Sequence, residues 1–173
     1  MEVLEQFAQG DLEAFEILFR QFQGEVYRWI VRIVRDRGTA EDLTVETFWR
    51  IYRAHARFRP EGNFGAWARR IATNAALDYL KTARREVALP DNLAAPGLQR
   101  DPAVQREVLE RIERAFRELP ARIQVAATLA LVEGESYRQI SEALGISEGA
   151  VKSRVFRAVH LLRQKLKGLG VEP

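Results

Sequence analysis

The residues best suited to chemistry lie near the C-terminal end, where polar and basic side chains follow a glycine. The stretch after Gly145 carries side chains able to exchange hydrogen bonds or charge with DNA, namely Ser147, Glu148, Gly149, Lys152, Ser153, Arg154 and Arg157. Lysine and arginine hold phosphates regardless of sequence, whereas residues in the first turns of a helix can reach base edges in the major groove. This stretch therefore predicts recognition of duplex DNA.

Two short helices must position these side chains. Ser136 can cap the first helix, with Gln139 completing a capping box, and Ser147 can cap the second. Gly145 suits the left-handed residue that ends the first helix. The apolar wedge between the helices consists of Ile140, Leu144, Val151 and Val155. This layout predicts a helix-turn-helix, whose second helix faces the major groove. The alternative is a packing corner without DNA, which the clustered cations make the weaker interpretation.

A second surface is predicted on a helix from Thr39 to about His55. At about 100° per residue, four residues form one stripe opposite the apolar face: Asp42, Val45, Glu46 and Trp49. An exposed aromatic residue with a charged rim is typical of a protein–protein interface. The alternative is that Trp49 folds over a neighbouring helix as peripheral core.

A third surface is predicted on a helix from Phe64 to about Arg85. Its outer stripe carries Arg70, Asn74, Leu77, Lys81 and Arg84, and the loop before it carries Arg57, Phe58, Arg59 and Asn63. Cations for phosphates, an amide for a base edge and aromatic rings for stacking are suited to single-stranded nucleic acid. The alternative is an ordinary solvated basic face. We expect Phe64 and Trp67 to lie at least partly in the core.

The elements that carry these surfaces are all predicted to be helical. Asp11 can cap a first helix, a second helical stretch runs from about Glu25 to Arg35, and Thr39 with Asp42 forms a further capping box. Asn63 can cap the helix that follows. Residues 86–100 show neither helical period nor an apolar face, which predicts a flexible linker. We therefore expect an all-α protein with two small helical domains, residues 1–85 and 101–173, the second containing the helix-turn-helix.

Composition narrows the class of function. The net charge of +3 is modest, and the absence of cysteine excludes disulfides and thiolate metal sites. No apolar run has the length of a membrane span and the N-terminal residues do not resemble a secretion signal, so we expect a cytoplasmic protein without membrane insertion. His55 and His160 fall in different domains, and no glycine-rich phosphate loop is present. We expect no catalytic residues, no metal and no cofactor.

Taken together, the motifs resemble those of the bacterial extracytoplasmic-function (ECF) sigma factors of the sigma-70 family. The first domain carries Arg35-Asp36, Ala40-Glu41-Asp42-Leu43-Thr44, Glu46-Thr47-Phe48, Phe58-Arg59-Pro60 and Arg70-Ile71-Ala72. The second carries Glu118-Leu119-Pro120, Ser136-Tyr137, Leu144-Gly145-Ile146-Ser147 and Val151-Lys152-Ser153-Arg154. The two sets occur in the family's order and cover nearly the whole chain outside the linker.

The resemblance implies a promoter-specificity factor that binds core RNA polymerase, through its β′ and β subunits, and directs transcription initiation. It implies polymerase contacts at Asp36, Glu41, Asp42, Leu43, Val45, Glu46 and Trp49. It implies contacts with the melted non-template strand of the −10 element at Phe58, Arg59, Asn63, Phe64, Trp67, Arg70, Asn74, Lys81 and Arg84. It implies contacts with the −35 duplex at Ser136, Tyr137, Ser147, Glu148, Gly149, Lys152, Ser153, Arg154 and Arg157.

Two further expectations accompany the resemblance. The family implies an anti-sigma partner that covers the polymerase-binding and DNA-reading faces. The alternative function is a stand-alone helix-turn-helix regulator with an N-terminal dimerisation domain, which would bind paired duplex half-sites without polymerase.

Overall fold

The structure, a computed structural model, describes residues 2–86 and 102–168, and both parts are helical. The helices are α1 (Glu2–Ala8), α2 (Leu12–Val34), α3 (Arg37–Arg53), α4 (Phe64–Glu86), α5 (Pro102–Arg117), α6 (Ala121–Ala127), α7 (Tyr137–Leu144) and α8 (Glu148–Gly168). A 3₁₀ turn, His55–Arg57, follows α3, and a π-helical turn, Thr128–Val132, follows α6. The predicted all-α class with two helical bodies is confirmed. Beyond Glu86, the predicted linker lies outside the described residues.

The first lobe, residues 2–86, contains one long helix where the sequence predicted two. Asp11 caps α2 as expected, its carboxylate accepting a hydrogen bond from the backbone N–H of Ala14 at 2.7 Å. The helix then runs without a break to Val34. A glycine such as Gly24 destabilises a helix by only about 1 kcal/mol relative to alanine. Packing against α3 and α4 along the whole length of α2 is enough to offset that.

The start of α3 also differs from its prediction. Asp36, rather than Thr39, is the N-cap, and its carboxylate accepts a hydrogen bond from the Thr39 backbone N–H at 2.8 Å. Asp36 precedes the first helical residue in extended conformation, which is the geometry an N-cap requires. The predicted cap of α4 is confirmed, because the Asn63 side chain accepts from the Ala66 N–H at 2.9 Å.

An aromatic cluster forms the core beneath the loop that joins α3 to α4. Phe7 of α1 is fully buried, and its ring contacts those of Phe58, Phe64 and Trp67 at centroid distances of 5.8, 5.6 and 6.2 Å. The sequence analysis did not predict α1. With seven residues, α1 would not be stable alone, and the packing of Phe7 in the aromatic cluster stabilises it.

The second lobe, residues 102–168, carries the helix-turn-helix with the predicted caps. Ser136 accepts from the Gln139 N–H at 3.2 Å, and the Gln139 side chain accepts from the Ser136 N–H at 3.1 Å. Gly145 adopts the left-handed conformation (φ 65°) that ends α7. Ser147 caps α8 by accepting from the Ala150 N–H at 3.1 Å. The predicted helix-turn-helix is confirmed.

The two lobes pack against each other along α4. This helix contacts α6 and α7, and α2 contacts the π-helical turn. Leu77 lies about 200° around α4 from the core residue Ala75, so it points away from the first lobe. It is nevertheless buried, in one apolar cluster with Ile140 and Ala143 of α7. Because α4 packs on α7, we call this α4–α7 contact, with Leu77, Ile140 and Ala143 among the buried residues of the cluster that spans it, the interlobe seam. Among the described helices, none is long and apolar enough to cross a membrane.

Replacing Phe7 by alanine is expected to lower the free energy of unfolding by about 3–5 kcal/mol, because it empties the centre of the aromatic cluster. Denaturant unfolding measures this change. Phe156→Ala is the matched control: this ring is 75% exposed, so the loss should stay within about 0.5 kcal/mol. Equal effects of the two substitutions would contradict the assigned core.

Candidate polymerase and nucleic-acid interfaces

The stripe predicted on α3 is exposed. Val45 and Trp49 are 68% and 59% accessible, and Asp42 and Glu46 beside them are exposed as well. The opposite face of the helix is buried, with Leu43, Thr47 and Ile51 in the core. Trp49 rests at one edge on Tyr52, with ring centroids 6.3 Å apart, but most of its surface faces solvent. The peripheral-core interpretation of Trp49 therefore does not hold.

Arg50 holds the carboxylate of Glu46, one of the exposed residues of this stripe, by hydrogen bonds. Arg50 donates through Nε to Glu46 at 2.9 Å and through Nη1 to Asp78 of α4 at 2.9 Å. Burial lowers the pKa of Arg50, but the hydrogen bonds from its guanidinium to Asp78 and Glu46 outweigh burial and raise the pKa above its ordinary value. Arg50 thereby ties the orientation of Glu46 to α4.

Three other residues predicted as polymerase contacts lie on or before the same helix. Asp36 and Glu41 are exposed, but Leu43 is only 6% accessible and belongs to the core. Its position follows from the helical period, which places it with Ala40 and Thr47 on the inner face. Leu43 therefore supports the helix from inside, and its contact with polymerase stays a prediction.

The loop between α3 and α4 presents its polar residues and buries its aromatic ones. Arg59 and Asn63 are exposed, whereas Phe58 and Phe64 are 6% and 4% accessible. Both rings pack on Phe7 and support the loop from below, which confirms the expected core position of Phe64. Direct contact of Phe58 and Phe64 with DNA stays a prediction. Trp67 is half-buried and contacts the Phe58 ring at a centroid distance of 5.1 Å.

An open hollow of about 600 Å³ lies over this loop, lined by Phe58, Arg59, Pro60, Glu61 and Gly62. A tight turn shapes it, because the Gly62 N–H donates to the Arg59 carbonyl at 2.8 Å. A Cβ atom at position 62 would lie 3.0 Å from that carbonyl oxygen, so the turn requires a close approach that glycine permits.

The outer stripe of α4 is exposed at its polar positions and covered at its apolar one. Arg70, Asn74 and Lys81 are exposed, but Leu77 between them is buried in the interlobe seam. Arg84 also lies on α4, and its side chain is outside the described part of the structure. The sequence of α4 predicted an exposed Leu77, because nothing in that sequence indicates that α7 packs against α4.

The helix-turn-helix presents its polar face to solvent. The exposed residues on this face are Ser136, Tyr137, Ser147, Glu148, Gly149, Lys152, Ser153 and Arg157. Val151 and Val155 are buried against Ile140 and Ala143, so α8 cannot rotate to hide its polar side. This is a convex helix able to enter a major groove.

Comparisons with known proteins agree with this arrangement. The family model described as Sigma-70 region 2 matches residues 18–86, and the one described as Sigma-70, region 4 matches residues 109–162. The RNA polymerase sigma factor CarQ of Myxococcus xanthus is 34% identical over 177 residues, which cover 98% of each chain. The ECF RNA polymerase sigma factor BldN of Streptomyces coelicolor is 36% identical over 174 residues, which cover 96% of this chain and 65% of BldN. The chain is an ECF sigma factor of the sigma-70 family. Proteins of this family are promoter-specificity factors of RNA polymerase and not enzymes.

Two solved structures share the fold of this sigma factor. CnrH, in complex with the cytosolic domain of CnrY, aligns with a TM-score of 0.57 at 23% identity and covers 96% of both chains. The sigma factor RpoE, in complex with the anti-sigma factor NepR from Bartonella quintana, aligns with a TM-score of 0.55 at 23% identity over 90% of this chain and 98% of RpoE.

Sequence reasoning missed a second arginine beside Arg154 in this sigma factor. Arg154 is half-buried, and burial, followed by the positive charge of Arg122 on α6, lowers its pKa. A partly buried cation beside another positive charge is stabilised when an anion binds next to it. The signal was present, since Arg122 follows Leu119-Pro120 at the start of a predicted helix, but only the packing of α6 on α8 shows that the two arginines are neighbours.

Asp36 gives this sigma factor a pH-sensitive helix start. Hydrogen bonds from the Thr39 side chain and backbone hold the pKa of Asp36 below its ordinary value. A lowered folded-state pKa means that the ionised cap stabilises α3 above the unfolded pKa of about 4 and that this contribution disappears as the pH falls through the lower, folded value. Asp36→Ala should therefore destabilise the protein at neutral pH and make less difference in acid.

Unfolding of the wild type and Asp36→Ala between neutral pH and about pH 3 measures the difference. Asp42→Ala, which removes an exposed carboxylate from within the same helix, is the control. If the wild type and Asp36→Ala differ in free energy of unfolding by the same amount at every pH, the capping role of Asp36 is contradicted.

Proposed function

We propose that the three exposed surfaces divide the work of promoter recognition. α3 binds core RNA polymerase, the loop before α4 and the stripe of α4 hold the melted −10 strand, and α8 reads the −35 duplex. The observation that carries the proposal is the exposed Val45 and Trp49 on an acidic stripe, on a helix whose other face is fully buried. A large apolar surface with a charged rim is stabilised by a protein partner.

The polymerase contacts in this proposal are Asp36, Glu41, Asp42, Val45, Glu46 and Trp49. Trp49 is the anchor, because aromatic residues at the centre of an interface contribute most of the binding free energy. The surrounding carboxylates favour a basic partner surface and accelerate association. Leu43 supports the helix from inside.

The −10 contacts in this proposal are Arg59, Asn63, Arg70, Asn74, Lys81 and Arg84, with Trp67 at the edge of the loop. Arginine and lysine hold the backbone of the strand, and the Asn63 and Asn74 amides face base edges. Extruding a base from the duplex costs a few kcal/mol, which contacts in the hollow over Phe58–Gly62 can offset. DNA melting then follows from trapping the open strand, without any catalytic residue.

The −35 contacts in this proposal comprise the exposed face of the helix-turn-helix together with Arg154. Ser147, Gly149 and Ser153 lie at the cap and in the first two turns of α8, where side chains reach base edges. Lys152 and Arg157 hold phosphates on either side, and Arg154 with Arg122 forms a further phosphate contact. Neither lobe needs high affinity alone, because polymerase raises the effective concentration of each for its DNA element.

We further infer a cytoplasmic location and regulation by an anti-sigma factor. The support is the likeness in fold to CnrH, solved with the cytosolic domain of CnrY, and to RpoE, solved with the anti-sigma factor NepR. The exposed apolar pair on α3 is the surface that an inhibitor would need to cover.

The proposal is tested by capture on core RNA polymerase. A labelled chain should co-elute with the core enzyme as a stable complex and bind promoter duplex poorly without it. Tight binding to duplex DNA by the chain alone, with no complex with core enzyme, would instead indicate a stand-alone regulator.

Trp49→Ala is expected to weaken the complex with core polymerase about 30-fold or more, because it removes the interface anchor while leaving the core of α3 intact. Fluorescence anisotropy of labelled protein titrated with core enzyme measures the dissociation constant. Leu12→Ala, at another exposed apolar residue of the first lobe, is the control and should not change it. Unchanged affinity for Trp49→Ala would reject α3 as the contact.

Arg157→Ala is expected to weaken promoter binding by the complete polymerase complex. The loss of affinity should be similar for every promoter sequence, since the substitution removes a phosphate contact. The slope of log affinity against log salt should fall by about 1. Arg138→Ala, at an exposed arginine of α7 that pairs with Glu142, is the control. A defect in binding that does not depend on salt would exclude the phosphate contact.

A further inference from the structure

One arginine joins the exposed stripe of α3 to helix α4. Arg50 donates through Nε to Glu46 Oε1 at 2.9 Å, and its Nη2 donates to the same oxygen. On its other side, Arg50 donates through Nη1 to Asp78 Oδ2 at 2.9 Å. The guanidinium is planar and rigid, so two carboxylates bound to it are held in a fixed relation to each other. Asp78, a residue of α4, thereby limits where the carboxylate of Glu46 can lie.

Glu46 keeps one oxygen for a second protein. Its side chain is 46% exposed, and both hydrogen bonds from Arg50 end on Oε1. No hydrogen bond from a described residue reaches the other oxygen, Oε2. A carboxylate held through one oxygen can accept a hydrogen bond from a basic partner through the other. Arg50 therefore orients Glu46 without blocking it.

Stabilisation of the fold does not account for these ion pairs. Helices α3 and α4 already pack through a shared apolar core, which includes Phe48, Ile51 and Ala72. Arg50 and Asp78 are 35% and 58% exposed, and ion pairs with this exposure add little to stability because water screens them. Such a pair can still strengthen binding, since ordering a loose side chain at an interface lowers affinity by roughly 3- to 10-fold.

We propose that Arg50 and Asp78 are positioning residues for the contact of Glu46 with polymerase. Asp78 holds the guanidinium from α4, and Arg50 holds Glu46 in the conformation in which a basic partner surface pairs with it. Asp78 acts only through Arg50 and makes no contact of its own with polymerase. This inference rests on the function proposed above for α3.

A double-mutant cycle in the dissociation constant for core polymerase tests this series of contacts. Asp78→Ala is expected to weaken binding about 3- to 5-fold, because Arg50 loses its anchor and Glu46 must be ordered on binding. In a Glu46→Ala background the same substitution should change nothing, because no carboxylate remains to be positioned. If Asp78→Ala weakens binding equally in both backgrounds, or in neither, the proposal is overturned.

Substitutions of Arg50 test the intermediate step. Arg50→Met keeps the length of the side chain but removes its donors, and it should weaken binding at least as much as Asp78→Ala. Arg50→Lys keeps the charge but lacks the planar fork that binds two carboxylates, so it should recover only part of the lost affinity. Full recovery with lysine would show that charge alone matters and would exclude positioning.

Glu16→Ala is the matched control. Glu16 is an exposed carboxylate of α2 that also pairs with an arginine one turn away, Arg20, and its loss changes the net charge as Asp78→Ala does. The affinity for core polymerase should not change. A loss equal to that of Asp78→Ala would reduce the effect to net charge and contradict positioning. Denaturant unfolding of Asp78→Ala should give a midpoint close to that of the wild type, and a marked loss of stability would instead assign the pair to the fold.

Failure of this inference can be distinguished from failure of the proposed function. If α3 does not bind polymerase, Trp49→Ala and Glu46→Ala will leave the affinity unchanged, as will Asp78→Ala. If only the positioning role is wrong, Trp49→Ala will still weaken the complex, whereas Asp78→Ala will not.

Discussion

Helix α4 is the element on which the rest of the structure depends, because it is packed on two sides. Its alanines, Ala68, Ala72 and Ala75, let α2 and α3 approach closely, and this builds the first lobe. On the other side Leu77 contacts the apolar face of the second lobe. The polar residues Arg70, Asn74 and Lys81 are exposed in the strip between these contacts. One helix thus serves as core and interlobe contact, and in the proposed function it also holds the nucleic acid.

Apolar burial and charge pairing have different roles at the interlobe seam. Burying a side chain such as Leu77 or Ile140 contributes about 1.5–3 kcal/mol each, whereas exposed ion pairs typically contribute less than about 1 kcal/mol. Glu133 and Glu135 of the second lobe are 18% and 15% exposed, but their partners Arg32 and Arg35 in the first lobe are 40% and 56% exposed, so solvent partly screens these pairs. The apolar contacts therefore supply most of the adhesion, and the charges fix which orientation of the lobes is adopted.

Short-range sequence patterns correctly predicted the helix caps and the exposed face of α3, because these features depend on neighbouring residues. Asp11, Asn63, Ser136 and Gly145 each act as the cap their residue type favours, and the α3 stripe is exposed as its period indicates. Contacts between distant elements were not predictable: the seating of Phe7 under the loop, the burial of Leu77 and the pairing of Arg32 with Glu135 all join residues far apart in the sequence. The burial of Phe58 was likewise not predictable, since an aromatic residue in a loop can either stack on bases or fill a core, and only the packing shows that its ring lies against Phe7.

The central claim is that two helical bodies on one chain read two separate DNA elements once polymerase positions them. Its most direct test is transcription in vitro from fragmented genomic DNA of the source organism, with core RNA polymerase alone and with the protein added, followed by sequencing of transcript 5′ ends. The account predicts new start sites that require the protein and share two short sequence blocks at a fixed spacing upstream. Start sites identical to those of the core enzyme alone, or new sites sharing only one block, would contradict it.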